Sequence, residues 1–198
     1  MDIVLPLIIA LVSGFVVHWI VTGQVGVLAR RLKGGGKLIL FVSQGGTCRD
    51  PMATVITNEI LKQRMPGHKN IKVMGCGLAP AIKQEASYAA RHVIYEIYGR
   101  DLLKNYKPNP VTQNLVRSAD LILVMDNDQL ANKIFPESKT FLLKEFFGLE
   151  GVVADPFPDG RDEKTFSKYR ACAEELKSIL EGRFEYLRNF ISPTGTVN

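Results

Sequence analysis

Leu38-Ile39-Leu40-Phe41-Val42-Ser43-Gln44-Gly45-Gly46-Thr47-Cys48-Arg49-Asp50-Pro51 is the stretch on which the fold turns. A strand-favouring apolar run ends at Val42, small and polar residues follow, and a helix-compatible stretch runs from Pro51 to about Lys62. The pattern predicts strand, tight loop, helix. Asp50 suits the N-cap and Pro51 the first helical position, so the helix would aim its free N–H groups back into the loop. Such a loop gathers backbone donors around one small volume, and the helix dipole adds positive potential, which together favour an oxyanion. Arg49 adds a planar fork of donors.

The run Phe41 to Ala53, with its Cys48-Arg49-Asp50-Pro51 core, resembles the phosphate loop of low-molecular-weight protein tyrosine phosphatases, whose signature is Cys, five residues, Arg, Ser, Pro. Further matches come in family order. Ala119 to Met125 resembles the central strand, Asp155-Pro156-Phe157 the general-acid loop, and Tyr169-Arg170-Ala171-Cys172 the opening of the last helix. The resemblance implies an α/β three-layer sandwich with a four-stranded parallel sheet over residues 38–191. It also implies that Arg49 grips phosphoryl oxygens, Asp155 protonates the leaving oxygen, and the backbone of Gln44, Gly45, Gly46, Thr47 and Cys48 cradles the anion. Phe157 would clasp the substrate ring. No metal and no cofactor is implied.

The departures carry as much weight. The nucleophilic cysteine of the family falls at Ser43, Gly46 stands for its asparagine, and Asp50 for the serine after the arginine. A serine hydroxyl needs a base to take its proton, and no histidine lies in the loop. A cysteine would ionise among these donors where an alcohol would not. Asp50 facing inward would repel an anion; facing outward it only caps the helix, and the cap is the favoured reading. Three departures within eight residues favour natural divergence, hence a pseudophosphatase, over an introduced Cys-to-Ser trap. Gly46 is benign, since glycine takes left-handed conformations. Thioredoxin-coupled arsenate reductases share the fold, but their chemistry has no starting thiol here.

Ahead of this unit, residues 3–22 are apolar with His18 as the only ionisable side chain, long enough to cross a bilayer as one helix. The basic residues follow this segment rather than precede it, which favours an uncleaved anchor (residues 1–24) over a signal peptide. Residues 25–37 form a basic linker with Arg30, Arg31, Lys33 and Lys37, placing the following domain in the cytoplasm. Trp19 suits the interfacial position, and Gly34-Gly35-Gly36 a flexible joint.

The formal net charge of +5 concentrates near the anchor. It suggests anionic headgroups rather than nucleic acid, for which no basic, aromatic-interleaved stripe is present. Three cysteines, Cys48, Cys76 and Cys172, fit a reduced compartment.

Elsewhere the patterning predicts strands over residues 69–74, 121–125 and 140–143, and helices over 84–98, 111–118 and 165–190. Residues 106–110 read as a loop, residues 151–161 as a turn-rich lid, and residues 192–198 as a fraying tail. Tyr88, Arg91, Tyr95 and Tyr98 form a stripe suited to a core or subunit face. Asp126-Asn127-Asp128 reads as a helix cap rather than a metal site.

Three functions remain open. One is a membrane-anchored pseudophosphatase keeping a phosphate or phosphotyrosine pocket. Another is an active tyrosine phosphatase using residue 43. The third is a structural subunit docked into a membrane complex through residues 3–22.

Overall fold

The computed structural model describes residues 36–67, 70–80 and 85–192. The expected anchor (1–24), almost all of the linker and most of the tail therefore lie outside the described residues, and no helix among those described is long and apolar enough to cross a membrane.

A parallel sheet forms the centre. Its strands are β1 (Lys37–Ser43), β2 (Ile71–Gly77), β3 (Asn109–Pro110), β4 (Leu121–Val124) and β5 (Thr140–Leu142), in the order β3-β2-β1-β4-β5. The sheet has five strands rather than the expected four. The added strand is two residues inside the expected loop, where Asn109 pairs with Cys76 and Pro110 with Gly77. A proline is tolerated there because β3 is an edge strand.

The helices are α1 (Arg49–Arg64), α2 (Tyr88–Tyr98), α3 (Gln113–Ser118), α4 (Asn127–Leu130), α5 (Leu143–Phe146), α6 (Glu163–Gly182) and α7 (Phe184–Ile191). The last two correct the single helix expected over residues 165–190. Gly182 and Arg183 break it, and the new direction buries Phe184 and Leu187 in the core.

β1 shows why its sequence is apolar without alternation. Ile39 and Phe41 point into a large core shared with α1, α2, α6 and α7, while Leu38, Leu40 and Val42 point into a second core with Val116 and Phe135. Both faces are covered, so every position must be apolar. α2 starts at Tyr88 rather than residue 84, with Ser87 Oγ accepting from the Ala90 amide. It buries Ala89, Ala90, Val93 and Ile94, so the tyrosine stripe is not the core face: Tyr88 and Tyr95 are exposed and Tyr98 is half-buried.

The order of strands places the loops after β1, β2 and β4 together at one end of the sheet. That end carries the site, as expected for open α/β sheets.

Candidate functional site

Residues 43–49 turn from β1 into α1 and are pinned from below by the chain after β2. The Leu78 amide donates to the Ser43 carbonyl at 3.0 Å and the Ala79 amide to that of Gln44 at 2.9 Å. Gly46 adopts φ +71°, and a Cβ there would lie 3.0 Å from both the Gly77 nitrogen and Pro108 Cβ. Glycine at 46 is thus required by torsion and by packing.

The loop, with Ala79, Asp155 and Phe157, encloses a cavity of about 350 Å³ lined by Ser43, Gln44, Gly45, Thr47, Cys48 and Arg49. The expected site residues therefore converge, with Gly46 contributing its amide to Ser43 Oγ at 3.1 Å. α1 begins at Arg49, and no side chain caps its N-terminus. Its first-turn N–H groups and positive dipole end border the cavity.

Two acidic residues hold the Arg49 guanidinium at the wall. Nη1 donates to Asp126 Oδ2 at 3.0 Å and to the Val153 carbonyl at 3.1 Å, while Nη2 donates to Asp155 Oδ2 at 2.8 Å. Asp126 also caps α4 by accepting from the Gln129 amide, so its expected role is met and a second one is added. Among the described residues no group of three or more His, Cys, Asp or Glu side chains is placed to hold a metal.

Asp50 overturns the cap expectation. It is the second residue of α1, fully buried, and its carboxylate faces inward: Oδ1 accepts from Ser43 Oγ at 2.6 Å and Oδ2 from the Tyr106 hydroxyl at 2.8 Å. The repulsion of an anion expected of an inward Asp50 is softened: the carboxylate lies behind Ser43 and outside the cavity lining, two hydroxyls donate to it, and burial pushes its pKa up to about 7, against the opposing pull of these hydrogen bonds and of Arg49. Room for this arrangement comes from Gly75, where a Cβ would stand 2.5 Å from the Tyr106 hydroxyl and 2.8 Å from Asp50 Oδ2.

Cys48 is buried, with Sγ 3.1 Å from the Tyr169 hydroxyl. Burial raises its pKa, which keeps it a thiol and not a thiolate. Phe157 is exposed at the cavity mouth, 69% accessible. The lid is tied down nearby by Asp159, whose carboxylate accepts from the Tyr88 and Ala89 amides at 3.0 Å each and so caps α2.

Sequence reasoning missed Tyr106, Gly75 and Asp159, and gave Asp126 no place beside Arg49. Nothing local marks Tyr106, which meets Asp50 across 56 residues of chain. Gly75 and Gly77 fall beyond the strand expected over residues 69–74; β2 runs on to Gly77, where a Cβ at Gly75 would meet the Tyr106 hydroxyl and Asp50 and one at Gly77 the loop backbone at Gly45 and Gly46.

Comparison with known proteins gives a consistent set. The sequence model of the low molecular weight phosphotyrosine protein phosphatase family matches residues 38–190. The protein-arginine-phosphatase of Bacillus subtilis (strain 168) is 31% identical over 147 residues, covering 72% of this chain and 91% of that protein. A solved low molecular weight protein tyrosine phosphatase from T. tengcongensis superposes with a TM-score of 0.65 at 30% identity, covering 76% of this chain and 99% of its own. A YwlE arginine phosphatase, a Cys-to-Ser mutant with a phosphorylated active-site serine, superposes with a TM-score of 0.64 at 29% identity, covering 77% and 95%.

Proposed function

The chain belongs to the low molecular weight phosphotyrosine protein phosphatase family, and on that premise we propose that its pocket receives the phosphoryl group of a phosphorylated protein side chain without thiolate-driven hydrolysis, as a pseudophosphatase-type site. One observation carries the reading: the anion cradle is kept, with an uncapped helix N-terminus and Arg49 on a 350 Å³ cavity, while the attacking thiol is replaced by Ser43.

The roles follow from the geometry. Arg49 and the first-turn amides of α1 take the equatorial phosphoryl oxygens, Arg49 exchanging its bond to Asp155 for one to the ligand. Asp155, then released at the rim, faces the ester oxygen. Phe157 offers its ring to a flat group, which suits either a phenyl ring or a guanidinium plane. Relatives of this chain are named for both chemistries, arginine phosphatase and tyrosine phosphatase. Serine in place of cysteine is compatible with a bound phosphoryl group, as the phosphorylated serine of the related arginine phosphatase mutant illustrates.

Titration calorimetry with tungstate, a non-hydrolysable tetrahedral oxyanion, tests the pocket. Binding should be present in the parent and weakened at least about 100-fold in Arg49→Ala, since each hydrogen bond to a charged group contributes roughly 1.5–3 kcal/mol. No binding by the parent at millimolar tungstate would overturn the reading.

We further place this site at the cytoplasmic face of a membrane, with the apolar residues 3–22 as the anchor and, through them, other membrane proteins as partners. The support is the composition of that segment and the basic residues after it. Membranes washed with alkaline carbonate should retain the chain; its release into the wash would remove the anchor from the proposal.

A further inference from the structure

We propose that Asp50 is the base that activates Ser43, so that this pair accepts a phosphoryl group at the position where the family uses a thiol. The inference rests on the phosphoryl-binding reading above and adds a chemical step to it.

Three features of the geometry point this way. Ser43 Oγ donates to Asp50 Oδ1 at 2.6 Å, so the proton that must leave already lies on the line to its acceptor. The Gly46 amide donates to the same Oγ at 3.1 Å, which orients the oxygen and leaves it one lone pair to direct into the cavity it lines. The Asp50 carboxylate is held by hydroxyl groups, Ser43 on one oxygen and Tyr106 on the other, whereas the neighbouring Arg49 guanidinium is turned away to Asp155, Asp126 and Val153. A carboxylate paired with hydroxyls keeps basicity that a bidentate arginine pair would remove. Its burial raises its proton affinity into the range useful for a base at neutral pH.

The step balances. The Ser43 Oγ–H proton passes to Asp50 Oδ1, the Oγ–P bond forms, and the bond from phosphorus to the leaving oxygen breaks with its electron pair staying on that oxygen, protonated by Asp155 where the leaving group requires it. Turnover is the reverse set of transfers: Asp155 takes a proton from water as it attacks phosphorus, and Asp50 returns its proton to Oγ as the Oγ–P bond breaks. Even with that proton, a serine oxygen leaves phosphorus less readily than a thiolate sulfur would, so the phosphoserine is long-lived.

The groups facing Asp50 are Ser43 on β1, Cys76 on β2, Tyr106 from the segment before β3 and Arg49 on its own helix. Burial pushes Cys76 up to about 12 and raises Tyr106 as well, so both stay protonated near neutrality and Asp50 is the member of this group that titrates there.

The test uses the whole chain in mild detergent with para-nitrophenyl phosphate, whose leaving phenolate needs no proton from Asp155. Expected are a burst of one equivalent of nitrophenolate and one phosphoryl group on Ser43, located by peptide mass spectrometry. The burst rate should rise with pH through about 7, as Asp50 gives up its proton. Asp50→Asn should slow the burst on the order of 100-fold or more while tungstate still binds. Tungstate binding by the parent with no phosphoserine, a pH-independent burst, or an Asp50→Asn burst as fast as the parent's would overturn the base and leave the pocket reading standing. Failure of the parent to bind tungstate would overturn both. If Asp50→Asn does not fold, the parent's pH profile decides.

Discussion

Two aspartates serve one cavity, Asp155 on its rim and Asp50 buried behind Ser43 beneath its wall, and their surroundings have made different groups of them. Asp50, beneath the floor that Ser43 forms, is 0% exposed and held by two hydroxyls, and burial pushes it up to about 7. Asp155, at the rim, has a side chain 47% exposed and pairs with the Arg49 guanidinium at 2.8 Å. One carboxyl is kept from water and bonded by no cation; the other has both. Identical side chains thus sit in two electrostatic settings, one desolvated and held by hydroxyls, the other half-exposed beside a guanidinium, without any change in the residue type. The lesson extends to Arg49, whose fork bonds Asp155 and Asp126 and reaches Asp50 only through space.

The contrast can be broken most strongly at the floor. Asp50→Asn removes a charge that folding must desolvate. Because the folded pKa lies above the unfolded value, the parent binds more protons folded than unfolded between pH 4 and 7, so its stability falls as pH rises through that window. From 3.8 to about 7, the shift corresponds to on the order of 4 kcal/mol. Chemical denaturation should therefore find Asp50→Asn more stable than the parent at pH 8, with the advantage vanishing near pH 4. An equal advantage at both pH values would show that Asp50 is not the titrating group.

Gly75→Ala attacks the same floor sterically. A methyl 2.5 Å from the Tyr106 hydroxyl and 2.8 Å from Asp50 Oδ2 must displace both, at a cost of about 1–3 kcal/mol. Urea unfolding should report that loss, accompanied by a slower Ser43 burst; unchanged stability would mean the strand yields instead.

Effects at the rim are smaller. Asp159→Ala strips the cap from the Tyr88 and Ala89 amides, for a loss of roughly 1 kcal/mol, and amide exchange at the start of α2 should quicken. Asp155→Asn removes a half-exposed ion pair worth about 0.2–1 kcal/mol, leaving the melting temperature nearly unmoved. A rim change as costly as the floor changes would erase the distinction between the two settings.

Local patterning was enough for the frame. The apolar run into Ser43, the small residues after it and the helix-forming stretch beyond Asp50 specify strand, loop and helix, because backbone torsion and side-chain periodicity act over a few residues. The resemblance of that run, and of Asp155-Pro156-Phe157 far downstream, to a known phosphate loop and acid loop named the residues that line the cavity, Ala79 apart. Where the signal was weak, the bounds shifted: a two-residue edge strand is too short to leave a periodicity, and the break at Gly182-Arg183 sits inside an otherwise helical pattern.

What sequence by itself determined, then, is the scaffold, the arginine that faces the anion site and the absence of a thiol at position 43. What only the tertiary structure decided is the character of Asp50. Its local context is equally good for a helix cap and for a buried carboxylate. The choice fell to Tyr106 and Gly75, which reach it from other parts of the chain, one supplying a hydroxyl and the other the space that a side chain would have filled. Proton affinity depends on such neighbours in space, and residues distant along the chain provide most of them.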